Sequence, residues 1–290
     1  MARFIYITDT HYGAGDTGYQ QQKRYHEKIE EVVQLLDKWI QEDNNIDFIL
    51  HGGDMVDSAT EENIKGASKL FNLSVPVYLC LGNHDLTHKD AVNIWLKEAP
   101  QFFIDNSPNF SIKAENLFIH IIPTQWGDTP YYWGNCMNTH FIDEQYEKLK
   151  YLNIVKENYI HMLCTHCQLA GVPIQQTGYT EEHHPAQEIF YKQVLNIIKN
   201  NSNIRCVLSG HNHINTCIEK DGIRLVTASS LSEVPFEFKL IEVSSSEVCM
   251  STISLDSKTS FKSLYNYNKT FVQGREKDRN FKIKLDNREK

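Results

Sequence analysis

Five times along the chain, a short run of Val, Ile, Leu, Phe or Tyr stops abruptly in a polar, glycine-rich or histidine-rich cluster. The runs lie at residues 3–8, 46–50, 75–81, 159–164 and 204–208. Apolar stretches of this length, bounded by turn residues, read as buried strands. Between them the period changes. From residue 21 to 42, Tyr25, Ile29, Val32, Val33, Leu36, Trp39 and Ile40 recur at helical spacing with Glu and Lys opposite, which predicts an amphipathic helix. Shorter helices are predicted over 61–71, 88–97, 142–157 and 185–200. Strand and helix alternate in the first half, as crossover units require. The second half is richer in strands, with a hairpin over 109–122 turning at Ala114-Glu115-Asn116, another over 215–228 turning at Lys220-Asp221-Gly222, and a strand pair over 238–253. This order fits an α/β fold in which two mixed sheets are flanked by helices, a four-layer αββα sandwich.

The chemistry sits where the strands end. In order, the five clusters are Asp9-Thr10-His11, Gly53-Asp54, Gly82-Asn83-His84-Asp85, His166 and Gly210-His211-Asn212-His213. Open α/β sheets place their sites beyond the carboxyl ends of strands, so these distant positions are expected to meet. Glycines at 52, 53, 82 and 210 permit tight turns and close backbone approach. Carboxylate, amide and imidazole together suit borderline divalent ions. A closed structural zinc site takes thiolates, and no cysteine pair here has a second pair at matching spacing. Two ions roughly 3.5–4 Å apart form the recurring clamp for in-line displacement at phosphorus, which points to a phosphoester hydrolase.

These clusters resemble the calcineurin-like metallophosphoesterases, and are most similar to the class III cyclic-nucleotide phosphodiesterases and glycerophosphodiesterases. The pattern spans residues 9–213. The resemblance implies that Asp9, His11 and His213 hold one metal, that Asn83, His166 and His211 hold the other, and that Asp54 bridges them. It implies two divalent cations (manganese, iron, zinc or a mixed pair) and in-line attack by a hydroxide shared between them. His84 then faces the substrate as general acid or transition-state donor, with Asp85 orienting it. Where such families carry His-His-Pro-Pro, this chain has His166-Cys167-Gln168-Leu169, so no role carries over for a second histidine. His51 is a candidate supporting residue, and Cys164 and Cys167 are read as structural.

Composition narrows the setting. No run of 18 apolar residues exists among the 290, so no membrane span is expected. The first strand already carries Asp9 and His11, which a cleaved leader would remove. With an odd count of seven cysteines, that points to a reduced, cytoplasmic protein. The net charge is −8, yet residues 257–290 carry ten Lys/Arg against four Asp/Glu, a balance of +6 that leaves −14 on the rest. The expected organisation is a catalytic domain over 1–256 and a basic extension over 257–290, peripheral or partly disordered. An acidic body disfavours nonspecific duplex binding. Two irregular segments, 125–140 with Trp126, Tyr131, Tyr132 and Trp133, and 168–185 with Tyr179, Glu181, Glu182, His183 and His184, are candidate pocket walls. The expected partner is a small phosphoester, a nucleotide among the candidates, and the expected activity is phosphodiester cleavage. The alternatives are a phosphomonoesterase, a DNA nuclease of the same superfamily and, last, a non-catalytic scaffold.

Overall fold

The computed structural model describes residues 1–150, 159–201 and 203–285. The first half of the chain runs β1 (Ala2–Ile7), α1 (Ile29–Asp43), β2 (Phe48–His51), α2 (Glu61–Leu70), β3 (Val77–Leu79), α3 (Ala91–Glu98), β4 (Phe110–Ala114), β5 (Leu117–Ile121) and α4 (Asp143–Lys150). The second half runs β6 (Ile160–Cys164), α5 (Ile174–Thr177), α6 (Glu188–Asn200), β7 (Ile204–Ser209), β8 (Thr216–Lys220), β9 (Ile223–Thr227), β10 (Glu237–Val243), β11 (Glu247–Ser254), α7 (Glu276–Arg279) and β12 (Phe281–Lys284).

Two mixed six-stranded sheets result, ordered β12-β11-β10-β1-β2-β3 and β4-β5-β6-β7-β9-β8. In the first sheet β1, β2 and β3 pair in parallel, while β10 joins β1 antiparallel. In the second, β5, β6, β7 and β9 run parallel and the hairpin strands β4 and β8 close the edges antiparallel. The sheets share one apolar core; Tyr78 of β3 meets Phe110 of β4 across it at 6.2 Å. Helices cover the sheets with the stripes their periodicity predicts. Ile29, Val32, Val33, Leu36 and Ile40 of α1 are buried, and Trp39 packs edge-on against Phe238 of β10. Asn44 ends α1 in the left-handed conformation, a role asparagine fills more readily than most residues. Thr60 caps α2 by accepting from Asn63 N. Both predicted hairpins form at the predicted turns. Among the described residues no helix is long and apolar enough to cross a membrane.

One helix differs from its expected span. The pattern from residue 21 predicts helix, yet α1 begins at Ile29 after a 3-10 turn over His26–Lys28. The backbone N–H groups of Gln21 and Gln22 donate instead to the Glu233 carboxylate, and Arg24 forms an isolated β-bridge with Glu233. A tertiary anchor thus overrides local periodicity. The helix expected over 142–157 is present as α4, and its part beyond residue 150 lies outside the described residues.

Residues 257–285 pass along the first sheet and end as β12, its edge strand against β11. Three of the basic side chains here face acids: Arg275 pairs with Asp278, Arg279 with Glu237 and Lys282 with Glu247. Asp278 and Glu237 are buried. Removing Arg279 leaves Glu237 buried without its cation, although Asn215 still donates to it. Arg279→Ala is therefore expected to lower unfolding free energy by about 2–3 kcal/mol, below the roughly 3–5 of a fully buried broken pair. Lys282→Ala, at an exposed pair, is expected to change it by less than about 1 kcal/mol. Urea denaturation of both variants checks the contrast; equal effects would contradict it.

Candidate metal centre

Each strand that predicts a ligand cluster delivers it at its carboxyl end, and the clusters converge at the seam between the sheets. The first sheet supplies Asp9 and His11 after β1, Asp54 after β2, and Asn83 and His84 after β3. The second supplies His166 after β6, and His211 and His213 after β7. All but His84 and His211 are buried.

The local backbone is unusual. Asp9, His11, Asp54, His211 and His213 have φ of 56°, 46°, 53°, 71° and 58°, in the left-handed region that costs a non-glycine residue on the order of 1 kcal/mol or more. Cross-bonds hold the strained turns together. Asp9 N donates to Gly53 O at 2.9 Å and His11 N to Asp54 O at 3.0 Å. The Ser230 and Ser232 hydroxyls both donate to Asp9 O, at 2.6 and 3.2 Å. Gly82 and Gly210 permit the closest approaches, since a Cβ on either would run into the carboxylate of Asp54 or Asp9. His51 bonds Thr10 through Nε2 and receives Gly53 N through Nδ1, so it supports two ligand turns at once.

The carboxylates are each pinned through one oxygen and left open at the other. Thr8 Oγ1 and His211 N donate to Asp9 Oδ2 at 2.7 and 3.1 Å. Asp9 Oδ1 faces His213 Nε2 at 3.3 Å and His11 Nε2 at 3.9 Å. His84 N donates to Asp54 Oδ1 at 2.8 Å, while Oδ2 lies 3.2 Å from His166 Nε2 and 3.8 Å from His11 Nε2. Asn83 Oδ1 and His211 Nδ1 are 3.0 Å apart. Among the described residues three groups form with ligand atoms within 4.8 Å of one another, Asp9/His11/His213, Asp54/His166/His211 and His11/Asp57/His84; Asp54 Oδ2 reaches the first two, and Asp57 stands behind the rings of the third. Asp9 Oδ1 and His166 Nε2 are buried without a hydrogen-bond partner. Atoms bound to one ion at about 2.0–2.2 Å sit roughly 3 Å from each other, so these residues fit two metal ions.

The imidazoles are set by the opposite ring nitrogen. His11 Nδ1 donates to Asp57 Oδ1 at 3.1 Å, His166 Nδ1 to Gly52 O at 2.9 Å and His213 Nδ1 to Glu233, each leaving Nε2 turned inward. His84 Nδ1 donates to Asp57 O at 2.7 Å. Asp85, expected to orient His84, instead accepts from Gly82 N and Val56 N and ties the two ligand turns together; the ring is held by Asp57. Neither Asp57 nor Glu233 stands out in the sequence. Asp57 follows Asp54 by three positions and was open to notice. Glu233 lies in the link between β9 and β10, where no spacing signals it.

Electrostatics follow from burial against pairing. Burial pushes the Asp9 and Asp54 carboxyls up, but the neighbouring histidines outweigh it and hold both below the usual range. Burial lowers His166 and His213, yet Asp54 and Asp9 raise His166 to about 9, and Glu233 and Asp9 raise His213 to about 10. Burial leaves His211 and His51 near 3, neutral at physiological pH. Without metal, two protons thus occupy positions that suit cations.

Aromatic rings surround the centre. Trp126 is buried behind the ligands, 4.9 Å from His211, so it is packing. Trp133 is partly exposed and lies 4.9 Å from His84. On the other flank Tyr19 stands edge-on to His213 at 5.1 Å and bonds His184; His184 adjoins His183, which in turn meets Tyr179.

The sequence matches the calcineurin-like phosphoesterase family over residues 2–215, and the chain belongs to it. In structure it is similar to a dimetal phosphatase from Danio rerio, with a TM-score of 0.68, 13% identity, and coverage of 91% of this chain and 98% of that one. It is also similar to GAP50, described as the anchor in the inner membrane complex of Plasmodium (TM-score 0.61, 13% identity, 93% and 90% covered). A purple acid phosphatase from yellow lupin, Lupinus luteus, aligns at a TM-score of 0.58 and 13% identity, with 92% of this chain covering 54% of that one. At such identity these are likenesses of fold. No curated protein sequence matches the chain. The protein is a phosphoesterase with a dimetal-type cluster of aspartates and histidines.

Because His166 and His213 hold protons up to about 9 and 10, loading both positions near pH 7 is expected to release about two protons. Apparent affinity for manganese then rises with pH, by up to about tenfold per unit for each displaced proton, and levels off above those values. Calorimetric titrations at several pH values check this; a pH-independent affinity between 6 and 8 would contradict it.

Proposed function

We propose that the protein is a phosphodiesterase acting on a small or nucleotide-type diester. Asp9, His11 and His213 would hold one divalent ion and Asn83, His166 and His211 the other, with Asp54 shared between the two groups. The observation that carries this reading is the pair of buried, unpartnered ligand atoms, Asp9 Oδ1 and His166 Nε2, within two mixed carboxylate–imidazole groups. When bound, such ions neutralise phosphoryl oxygens and lower the pKa of water so that hydroxide is available near neutrality.

The remaining work falls to side chains. The Asp57 carbonyl accepts from His84 Nδ1, which directs Nε2 of the partly exposed ring outward. From there it donates a hydrogen bond to a phosphoryl oxygen and passes its proton to the departing alkoxide. The diester reading is supported by Arg24: its guanidinium is buried, donates to Tyr19 O and lies 3.8 Å from Asp57, so it is held inside the fold rather than presented to a monoester dianion. Trp133 beside His84 and Tyr19 beside His213 offer ring faces or edges to a base or sugar. Seven free cysteines fit a cytoplasmic, reducing setting.

Manganese-loaded protein is expected to hydrolyse bis-p-nitrophenyl phosphate at least about tenfold more efficiently than p-nitrophenyl phosphate, one power of ten being about 1.4 kcal/mol. Asp54→Ala should abolish turnover together with metal binding. His84→Ala should keep its metals and slow an alkyl-leaving-group diester about 10²–10⁴-fold, with less effect on p-nitrophenyl esters. A monoester preference would overturn the diester assignment, and full His84→Ala activity on the alkyl ester would remove the proton-donor role.

A further inference from the structure

We infer that Glu233 is a positioning residue that commits His213 to metal ligation and fixes the cleft loop at residues 19–22 to the same point. The inference rests on the two-ion reading above but not on which ester is cleaved.

Glu233 lies between β9 and β10 and is 2% exposed. Its carboxylate has work for both oxygens. Oε1 stands 2.5 Å from His213 Nδ1, and Oε2 accepts from Gln21 N at 2.9 Å and Gln22 N at 2.6 Å. An ionised carboxylate only accepts, so His213 Nδ1 must carry a hydrogen. With Nδ1 so committed, Nε2 is the nitrogen that gives up its proton to ligate a metal, and it points to Asp9 Oδ1 and His11 Nε2, each 3.3 Å away. The other oxygen acts on the same ring from outside. The Gln21 amide donates to Tyr19 OH at 2.5 Å, Tyr19 OH donates to Asn212 O at 3.2 Å, and the Tyr19 ring packs edge-on against His213. One buried carboxylate therefore sets the tautomer of a ligand and seats the aromatic residue that flanks it.

An amide of the same shape separates this role from mere space-filling. In Glu233→Gln the amide oxygen can serve either the two backbone N–H groups or His213, not both. If it serves the backbone, its NH₂ faces His213 Nδ1 and drives the proton to Nε2, the atom needed for the metal. If it serves His213, the NH₂ opposes two N–H donors and the 19–22 loop loses its anchor.

The test is manganese titration of full-length wild type and Glu233→Gln, with stoichiometry by elemental analysis and fold by circular dichroism. The expected result is a folded variant whose affinity at the Asp9/His11/His213 position is about 10–100-fold weaker, so that it retains about one ion where wild type holds two. Wild-type stoichiometry and affinity in folded Glu233→Gln would overturn the inference. Should the variant not fold, nitrogen NMR of ¹⁵N-histidine-labelled, zinc-loaded wild type decides the matter, with His213 identified by its absence in His213→Gln. A protonated Nδ1 and a metal-shifted Nε2 are expected; a protonated or metal-free Nε2 would overturn it.

Discussion

Lone pairs that face one another across three to four ångströms, shielded from water, repel unless cations stand between them. That constraint governs this molecule. Asp9 Oδ1, Asp54 Oδ2 and the inward nitrogens of His11, His166 and His213 occupy one buried volume at the seam of two sheets. Without metal, protons on His166 and His213 make the arrangement tolerable; with metal, the ions take their place. Much of the surrounding structure serves to keep those atoms close. Burying charges this densely is costly unless they are paired, and cations at the two candidate positions would supply that pairing.

The strain is stored in turns rather than in the sheets. Five candidate ligands with positive φ sit just beyond the carboxyl ends of β1, β2 and β7. Backbone groups of these residues are tied to neighbouring turns and to Ser230 and Ser232, while Asp85 joins the adjacent turns through Gly82 N and Val56 N. Around them Asp57, Gly52 O and Glu233 settle which nitrogen of His11, His166 and His213 looks inward, and His51 supports the turns at Thr10 and Gly53. The candidate ligands follow strand ends, whereas Asp57 and Gly52 lie in loops, Glu233 in the link before β10, and His51 at the end of β2. A centre of this kind is therefore assembled by the whole chain and by no single segment of it.

That division explains what the sequence could disclose. The five apolar runs ending in Asp, Asn and His were legible because strand periodicity and ligand type are local properties, and the topology then brings the clusters together. The hairpins at Glu115 and at Asp221-Gly222 were legible for the same reason. The start of α1 was not, because Gln21 and Gln22 give their N–H groups to a carboxylate more than two hundred positions away. Glu233 was invisible for the same cause: nothing near it in the chain indicates a histidine twenty residues earlier. Trp126 and Trp133 looked alike in the sequence, yet one packs behind the ligands and the other lies against His84. The basic tail read as a peripheral or partly disordered extension, and the structure turns Arg275, Arg279 and Lys282 toward Asp278, Glu237 and Glu247.

The central claim is that Asp54 stands between two ions held by the two ligand groups. Anomalous diffraction from manganese-loaded crystals, collected on both sides of the manganese absorption edge, tests it most directly. Two peaks separated by roughly 3.5–4 Å, one against Asp9, His11 and His213, the other against Asn83, His166 and His211, with Asp54 between them, are the predicted result. A single peak, or two peaks that do not share Asp54, would contradict it.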